Sequence, residues 1–355
     1  MDRGRWLALI RSLVFGALGG ALFALTGLPL AWMLGPLVAN LLLSSRGVSV
    51  EVPERVRGAF LGVMGLVLGS QVTPQLAGRV EDWALSALLL MVGVAASTAA
   101  AAAWYRRRGF DSTSALFASA PGAMTAMIIM GEQSGGDPAR IAIAQSLRVV
   151  LVVLLLPPLF WALEEPATSP GGVASAWQDA WLVLAVGPVI WLGQRLRMPT
   201  PSLLAPLLLA ALLSGFGVAH FSLPSEAMNL VLWVLGSAIG SRFRGLSGAI
   251  FTRYVFDATV ATLIALAVLA LFAEAIHRLV GVPRDVALLA LAPGGIGEMA
   301  ILAVALDLDP VFVAFHHLLR MIALMFAAPL MAHWWQRRAG RRAVPPDEGG
   351  RGQDG

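Results

Sequence analysis

Long apolar runs separated by short polar linkers dominate the pattern of residues along the chain. A helix that crosses a bilayer needs about 20 predominantly apolar residues. Twelve runs approach or reach that length, at roughly 8–27, 30–44, 56–72, 83–104, 112–131, 138–162, 176–194, 199–218, 225–241, 254–277, 285–306 and 310–335. The first run lacks the small-residue cleavage site of a secretory signal peptide, so we expect it to be a retained span.

The composition is also that of a membrane protein. Of the 355 residues, 58% are hydrophobic and 13% are charged, whereas a soluble domain has about 45–50% and about 25%. The absence of cysteine excludes disulfides, thiolate metal sites and cysteine nucleophiles. All 25 cationic residues are arginines, mostly in short clusters between the apolar runs. This distribution sets membrane orientation and does not build a nucleic-acid surface. We therefore predict an all-α polytopic membrane protein.

Matching residues at a fixed offset indicate that the sequence is duplicated. Pro121-Gly122-Ala123 matches Pro293-Gly294-Gly295 at an offset of 172, and Arg148 matches Arg320 at the same offset. Matched Pro, Gly and Arg in one register are harder to obtain by chance than matched Leu or Ala. We predict two homologous halves, residues 1–165 and 175–336, followed by a disordered, arginine-rich cytoplasmic tail at 337–355.

The placement of the arginines bears on how the two halves are oriented. If the Pro-Gly run of each half enters and leaves the membrane on the same side, each half has five crossings. Because five is an odd number, the second half then starts on the opposite side of the membrane from the first, and the halves are inverted repeats. Only Arg79, Arg278 and Arg284 of the loop arginines then lie outside, as the positive-inside rule favours. This arrangement has about ten spanning helices and two broken or re-entrant segments, in the bacterial inner membrane with both termini cytoplasmic. The alternative is that all twelve runs cross.

The two Pro-Gly interruptions are candidate binding elements. Proline removes a backbone donor and glycine permits unusual backbone angles, and the freed polar groups of a broken helix must face protein or a water-filled cavity. N–H groups at a helix start attract anions. The alternative is a plain proline kink. The residues that we assign to these elements are Pro121, Gly122 and Thr125 in the first half and Pro293, Gly294 and Gly295 in the second.

Two arginines fall deep within predicted helices. Asp137-Pro138 and Asp309-Pro310 have the pattern of a helix start, with Asp as N-cap and Pro at the first helical position. Arg148 and Arg320 follow eleven residues later, about 16 Å along the axis, near the middle of a roughly 30 Å hydrocarbon core. An arginine at that depth costs at least about 2.5–3.5 kcal/mol unless it is paired or hydrated.

Each of these arginines shares a helix face with a second polar residue. Gln145 precedes Arg148 by three positions, and His317 precedes Arg320 by three. Two such faces beside two broken helices would suit a small carboxylate or a similar anion. The alternative has equal weight: the arginines hold the carbonyls of the interrupted helices and only stabilise the fold.

Glu298 has no acidic counterpart, because the matching residue in the first half is Ala126. It lies just past the second Pro-Gly break, so it could pair with Arg320 or bind a coupling H⁺ or Na⁺. Asp257, Glu132 and His316 are weaker candidates.

Segments 120–159 and 292–330, with their Pro-Gly breaks and Asp-Pro…Arg helices, resemble the AbrB-type bacterial membrane protein family. The hallmark of that family is a duplicated hydrophobic domain, and it is unrelated to the small DNA-binding regulators of the same name. The resemblance implies regulation of gene expression, and some members carry the label ammonia monooxygenase. The five histidines form no evident ligand set for an oxygen-activating metal, so we expect no enzyme and no cofactor.

The function that we expect is secondary transport of a small anionic or polar solute, with H⁺ or Na⁺ as the coupling ion. The lipid bilayer is the expected surrounding, direct nucleic-acid binding is not expected, and homo-oligomerisation stays open. The alternative is a membrane-embedded regulator of gene expression that acts indirectly and does not transport. Neither the substrate nor a partner follows from the residues.

Overall fold

The computed structural model describes residues 3–27, 30–72, 83–122, 124–163, 173–174, 177–243 and 248–342, and most of them are helical. The helices are α1 (Arg3–Leu25), α2 (Ala31–Ser45), α3 (Glu54–Ser70), α4 (Ala84–Arg107), α5 (Ser112–Ser119), α6 (Met124–Gln133), α7 (Pro138–Leu163), α8 (Leu182–Arg195), α9 (Pro201–Gly215), α10 (Ser225–Gly240), α11 (Gly248–Val280), α12 (Arg284–Leu291), α13 (Ile296–Ala305) and α14 (Pro310–Arg342). A 3₁₀ turn at Ser241–Phe243 follows α10.

The helices have the lengths and surfaces of a multi-pass membrane protein. Within the described ranges, α1, α4, α7, α11 and α14 are long and apolar enough to cross a membrane, and α2, α8, α9, α10 and α13 are shorter apolar helices. Many outward-facing side chains are large and apolar, among them Leu25, Leu184 and Phe326. Such a surface is expected where lipid replaces water as the surrounding solvent.

Ten of the twelve apolar runs correspond to one helix each, and the two Pro-Gly runs are each divided in two. The run 112–131 forms α5 and α6, and the run 285–306 forms α12 and α13. Asp137 accepts hydrogen bonds from the backbone N–H groups of Ala139 and Arg140, as an N-cap does. Asp309 does the same for α14. The predicted helix starts are therefore confirmed.

Local contacts move some boundaries away from the apolar pattern. Helix α8 begins at Leu182 and not at 176, because the residues before it join a small strand pairing. Strand β1 (Val173–Ala174) pairs in parallel with β2 (Leu223–Pro224), and Asp179 accepts a hydrogen bond of 2.8 Å from the backbone N–H of His220. Helix α14 continues to Arg342, so the first six residues of the predicted tail are helical, and 343–355 lie outside the described residues.

The helices pack as two groups. A six-helix bundle consists of α1, α2, α3, α8, α9 and α10, in which α3 lies along α9 and α2 lies along α10. A broken-helix bundle consists of α4–α7 and α11–α14, in which α4 lies along α11 and the two interrupted helices pack against α7 and α14. Among the described residues, the main contacts between the two bundles are those of α3 with α13 and α14.

Glycines allow the closest approaches within the six-helix bundle. A Cβ at Gly65 or Gly69 of α3 would meet the carbonyl oxygens of Leu203 and Leu207 of α9. A Cβ at Gly236 of α10 would meet the carbonyl oxygen of Met33 of α2, and Gly240 lies equally close to Leu37 of α2. Small residues four apart let helix backbones pack tightly where lipid gives no hydrophobic driving force.

We expect Gly65→Ala and Gly236→Ala to destabilise the protein by about 1–3 kcal/mol, because each methyl group would push two backbones apart. Thermal unfolding in detergent measures this. The matched control is Gly187→Ala in α8, where the added Cβ meets nothing within 4 Å and the higher helix propensity of Ala is the only change. Equal effects at all three positions would contradict the packing described above.

Candidate functional site

The candidate site contains two interrupted helices, and each interruption lies at one of the two matching Pro-Gly sequences. Helix α5 ends at Ser119 and α6 begins at Met124, with Pro121-Gly122 between them. Helix α12 ends at Leu291 and α13 begins at Ile296, with Pro293-Gly294-Gly295 between them. The last carbonyl groups of α5 and α12 have no N–H donor within their own helices. Their hydrogen-bond donors must therefore come from elsewhere in the protein.

In the first break, Arg148 and Gln145 of α7 supply those partners. Arg148 Nη1 donates to the carbonyl oxygens of Ser119 and Ala120, both at 3.2 Å. Gln145 Nε2 donates to the carbonyl oxygens of Phe117 at 2.7 Å and Ala120 at 2.9 Å. Arg148 Nη2 donates to Gln145 Oε1 at 2.5 Å, which joins the two side chains.

The second break repeats this geometry with a different side chain. Arg320 Nη1 donates to the carbonyl oxygen of Ala292 at 2.7 Å, and Nη2 donates to that of Gly294 at 2.6 Å. Arg320 Nη2 also lies 2.8 Å from His317 Nδ1, and His317 Nε2 lies 3.0 Å from the carbonyl oxygen of Leu289.

These contacts assign the hydrogen positions on His317. A carbonyl oxygen can only accept, so Nε2 carries the proton, and an arginine can only donate, so Nδ1 is the acceptor. His317 is therefore a neutral imidazole that donates to a carbonyl and accepts from Arg320. Gln145 does both tasks in the first break, which explains why an amide and an imidazole occupy matching positions.

Both arginines are buried, with 6% of Arg148 and 3% of Arg320 exposed. Hydrogen bonds to carbonyl groups satisfy most of their donors but leave both positive charges uncompensated. No carboxylate among the described residues lies within ion-pair distance of either guanidinium. The Nε of Arg148 is buried without a hydrogen-bond partner.

Glu298 is paired, but not with Arg320. Its Oε1 lies 3.0 Å from Arg242 Nη2 and 3.8 Å from Arg57 Nη2. Arg57 also binds the exposed Glu54 at 2.7 Å. Because Arg57 belongs to α3 and Arg242 follows α10, this cluster joins the broken-helix bundle to the six-helix bundle. The two arginines hold Glu298 as a carboxylate through opposite charge.

The two breaks differ in exposure. Pro121 and Pro293 are both buried, and Gly295 is partly exposed. Gly294, Ile296 and Glu298 are buried, whereas the matching Gly122, Met124 and Ala126 are partly exposed. Thr125 belongs to the first turn of α6, but its side chain lies outside the described residues.

A cavity of about 990 Å³ lies elsewhere, between α3, α8 and α10. Its walls are mostly apolar, with Glu54, Arg55 and Glu226 among the lining residues, and none of the predicted site residues lines it. The polar interior of the breaks and this apolar cavity are therefore separate features.

Comparison with protein families matches residues 5–336 to the family described as "Transition state regulatory protein AbrB". The chain belongs to the AbrB family. Two bacterial proteins are similar to this AbrB-family chain along most of their length. "Uncharacterized protein YhjN" of Bacillus subtilis (strain 168) is 25% identical over an alignment of 350 residues with gaps, and 89% of this chain and 90% of that protein are covered. "Putative regulator AbrB" of Escherichia coli (strain K12) is 24% identical over an alignment of 336 residues, with 91% and 94% covered.

The structure brings most predicted site residues of this AbrB-family protein into two clusters. Pro121, Gly122, Gln145 and Arg148 meet at the first break, and the second collects the remaining described residues, which are Pro293, Gly294, Gly295, Glu298, His317 and Arg320. Ligand binding by these residues stays a prediction. Of the weaker candidates, Asp257 pairs with Arg108 at 2.6 Å and His316 contacts Ser86 at 2.9 Å.

Sequence analysis missed Arg57 and Arg242 as partners of Glu298. A signal was present for one of them, because Gly240-Ser241-Arg242 matches Gly69-Ser70-Gln71 in the first half. Compared with the first half, which has Gln71 and Ala126 at the matching positions, the second half has one additional positive charge at Arg242 and one additional negative charge at Glu298. Because these two charges are opposite and have no counterparts in the first half, a contact between them could be expected from the sequence. Arg57 had no comparable signal.

We expect His317→Gln to keep the stability of the protein, because a glutamine can donate to Leu289 and accept from Arg320 as Gln145 does in the first break. His317→Leu should cost about 1–3 kcal/mol, since it leaves buried polar groups unpaired. Thermal unfolding of the purified variants measures both. Equal losses in the Gln and Leu variants would contradict the assigned hydrogen bonds.

Glu298→Gln should destabilise the protein strongly, by about 3 kcal/mol or more, because the partly buried Arg242 would lose its carboxylate partner, whereas Arg57 keeps Glu54. Glu274→Gln is the matched control. Glu274 also binds two arginines, Arg278 at 2.6 Å and Arg284 at 2.9 Å, but at an exposed site within one bundle. A loss for Glu298→Gln no larger than that of the control would refute a role for this cluster in joining the bundles.

Proposed function

We propose that this AbrB-family protein is a secondary transporter that moves a small anionic or polar solute across the bacterial inner membrane. The binding site would lie between the two halves, at the two Pro-Gly breaks. The observation that carries the proposal is the pair of buried guanidinium groups, Arg148 and Arg320, without a carboxylate partner in the described part of the chain.

Burying two guanidinium charges in the hydrocarbon region costs free energy. Carbonyl groups satisfy the hydrogen bonds of the arginines, so the arginines do stabilise the breaks, as the structural alternative supposes. They do not neutralise the charge, and a buried charge without a counter-charge is costly inside a membrane protein. A bound anion would offset this cost, and Arg148 Nε is a buried donor without a partner in the described part of the chain.

We further propose that the two halves are inverted repeats with about ten crossings and two re-entrant segments. Arg148 holds Ala120 and Arg320 holds Ala292, both pairs at the 172-residue offset. The glycine contacts support the duplication, since α3 and α9 approach through Gly65 and Gly69 while α10 and α2 approach through Gly236 and Gly240. The inversion rests on the positive-inside count of the loop arginines. The arginine distribution supports cytoplasmic termini.

Transport requires the site to be reached from either side in turn. The broken-helix bundle carries both breaks and meets the six-helix bundle mainly through α3, so the two bundles can move relative to each other as transporter repeats do. We assign no coupling ion to Glu298, because Arg57 and Arg242 already neutralise it. H⁺ and Na⁺ both stay open as coupling ions.

A second candidate function is a membrane-embedded regulator that does not transport. The name of the Escherichia coli relative, "Putative regulator AbrB", favours it. In that case the buried arginines would serve only to stabilise the breaks.

Ligand-dependent thermal stabilisation of the purified protein is the first test. A small anion that binds the folded state at 100 times its Kd should stabilise it by about 2.7 kcal/mol. We expect Arg148→Lys, which keeps the charge but loses the planar donor set, to reduce this stabilisation. Arg278→Lys at the exposed Glu274 site is the matched control and should respond as the wild type does.

Flux into liposomes is the second test. Uptake of a stabilising solute, reduced by Arg148→Lys or Arg320→Lys in protein that remains folded, supports transport. Background flux for carboxylates, amino acids and inorganic ions, without stabilisation by any of them, would overturn the proposal in favour of the regulator.

A further inference from the structure

We infer that the cavity between α3, α8 and α10 binds one anionic phospholipid of the cytoplasmic leaflet. The headgroup lies at the arginine-rich end of the cavity, and an acyl chain lies along α8. None of the residues of the two breaks lines this cavity, so lipid binding there is independent of solute transport.

Small residues on the facing helices leave room for the cavity and open it to the surface. Ala59 of α3, Gly187 of α8 and Ala227 of α10 line it, and a Cβ at Gly187 would meet nothing within 4 Å. Because Ala59 and Gly187 are exposed, the cavity of about 990 Å³ is a groove on the surface of the six-helix bundle. Leu184 and Trp191 of α8 are exposed beside it, as expected of a surface that faces lipid.

The lining of the groove suits hydrocarbon. Phe60, Val63 and Ile190 are among its apolar walls. An empty groove forfeits the dispersion contacts of its lining, and apolar cavities exclude water and take up apolar ligands. Val183 and Gln194 of α8 both line the groove. They are separated by about 16 Å along the helix axis, which is close to half of a roughly 30 Å hydrocarbon core. The groove therefore has the depth of one leaflet.

The start of α3 and the end of α8 meet at the same end of the groove. A Cβ at Gly62 of α3 would meet Ile190 of α8 and the backbone carbonyl of Ser202 at the start of α9. Beyond this contact, Arg55 of α3 and Gln194 of α8 both line the groove. Charged residues that adjoin either of these two positions are therefore brought together.

This end of the groove is basic. Arg55 lines it, and Arg195 and Arg197 follow Gln194 in the chain. All three arginines are exposed, and none has an ion-pair partner within the described part of the chain. The carboxylate of Glu54 also lines this end, but Arg57 binds it at 2.7 Å. Guanidinium groups bind phosphate strongly, and the positive-inside rule places them beside the anionic cytoplasmic leaflet.

The opposite end of the groove has a different character. Trp177 and Glu226 line it there. Glu226 belongs to the start of α10, whereas the end of α10 lies beside the start of α3, because Arg242 and Arg57 approach the same carboxylate of Glu298. A carboxylate at this end would repel an anionic headgroup. The charges of the groove thus fix the orientation of the lipid as well as its class.

Lipid titration of the full-length protein, purified in a neutral detergent, is the first test. Thermal unfolding and native mass spectrometry are followed with phosphatidylglycerol, with phosphatidylcholine of identical acyl chains, and with glycerol phosphate as the headgroup alone. We expect one phosphatidylglycerol to bind with at least about tenfold higher apparent affinity than phosphatidylcholine, and glycerol phosphate to have no effect. Equal responses to the two lipids, or an equal response to glycerol phosphate, would overturn the inference.

Filling the groove is the second test. Gly187→Trp places a large side chain in its middle, and Gly215→Trp in α9 is the matched control, because its added Cβ also meets nothing within 4 Å but it does not line the groove. We expect the Gly187 variant to lose at least about tenfold in affinity for phosphatidylglycerol and the control to bind as the wild type does. An unchanged affinity in folded Gly187→Trp protein would refute the lipid site.

Removing one charge from the basic end is the third test. Arg55→Gln should weaken phosphatidylglycerol binding about fivefold, the effect of one arginine near an anionic headgroup. Arg106→Gln is the control, because Arg106 is an exposed arginine at the end of α4 in the other bundle. Equal losses in the two variants would contradict a headgroup site at Arg55. If Gly187→Trp fails to fold, this pair of variants decides.

A second copy of the chain is the alternative occupant of the groove, and the same variants distinguish it. A dimer that Gly187→Trp converts to a monomer, without stabilisation of the wild type by either lipid, would make the groove a subunit interface and refute the lipid site. Loss of lipid binding in Gly187→Trp with an unchanged oligomeric state supports the lipid. Background solute flux would remove the proposed transport function and leave the lipid site intact.

Discussion

A guanidinium group placed against the carbonyl end of an interrupted helix is the contact on which the interior of this protein depends. Breaking a helix inside a membrane exposes carbonyl groups that lipid cannot satisfy. Arg148 and Arg320 bind those carbonyls directly, and Gln145 and His317 bind the remaining ones. The positive charge also complements the negative end of the helix dipole.

The two breaks share these contacts but differ in the charges around them. Arg148 and Arg320 donate hydrogen bonds to the free carbonyl groups, but neither guanidinium has a carboxylate within ion-pair distance among the described residues. The second break compensates nearby with Glu298, although that carboxylate is bound by Arg242 and Arg57 from the other bundle. The first break has Ala126 at the corresponding position and remains half-exposed. The helix start after the second break thus carries a carboxylate and the one after the first break does not, and the difference arises from the change of Ala126 to Glu298 at matching positions.

The two bundles differ in the contacts that hold them. The six-helix bundle has close backbone approaches at glycines. In the broken-helix bundle an apolar core packs the helices, and side-chain hydrogen bonds to carbonyls hold the two breaks. Between the bundles, the described contacts are fewer, and the ion cluster around Glu298 is the polar one among them.

The sequence by itself determined the helical membrane class, the positions of the apolar runs, the two breaks and the helix starts at Asp137 and Asp309. These features follow from local rules: length in a bilayer, the missing donor of proline, and the capping geometry of aspartate. It also placed Arg148 and Arg320 deep in the helices, because rise per residue is fixed. Only the tertiary structure decided the partners. Arg57 and Glu298 lie far apart in the chain, and no periodicity connects them. The division into bundles, the pairing of Glu298 away from Arg320 and the unequal exposure of the two breaks depend on how helices pack across the whole molecule, which local patterns do not encode.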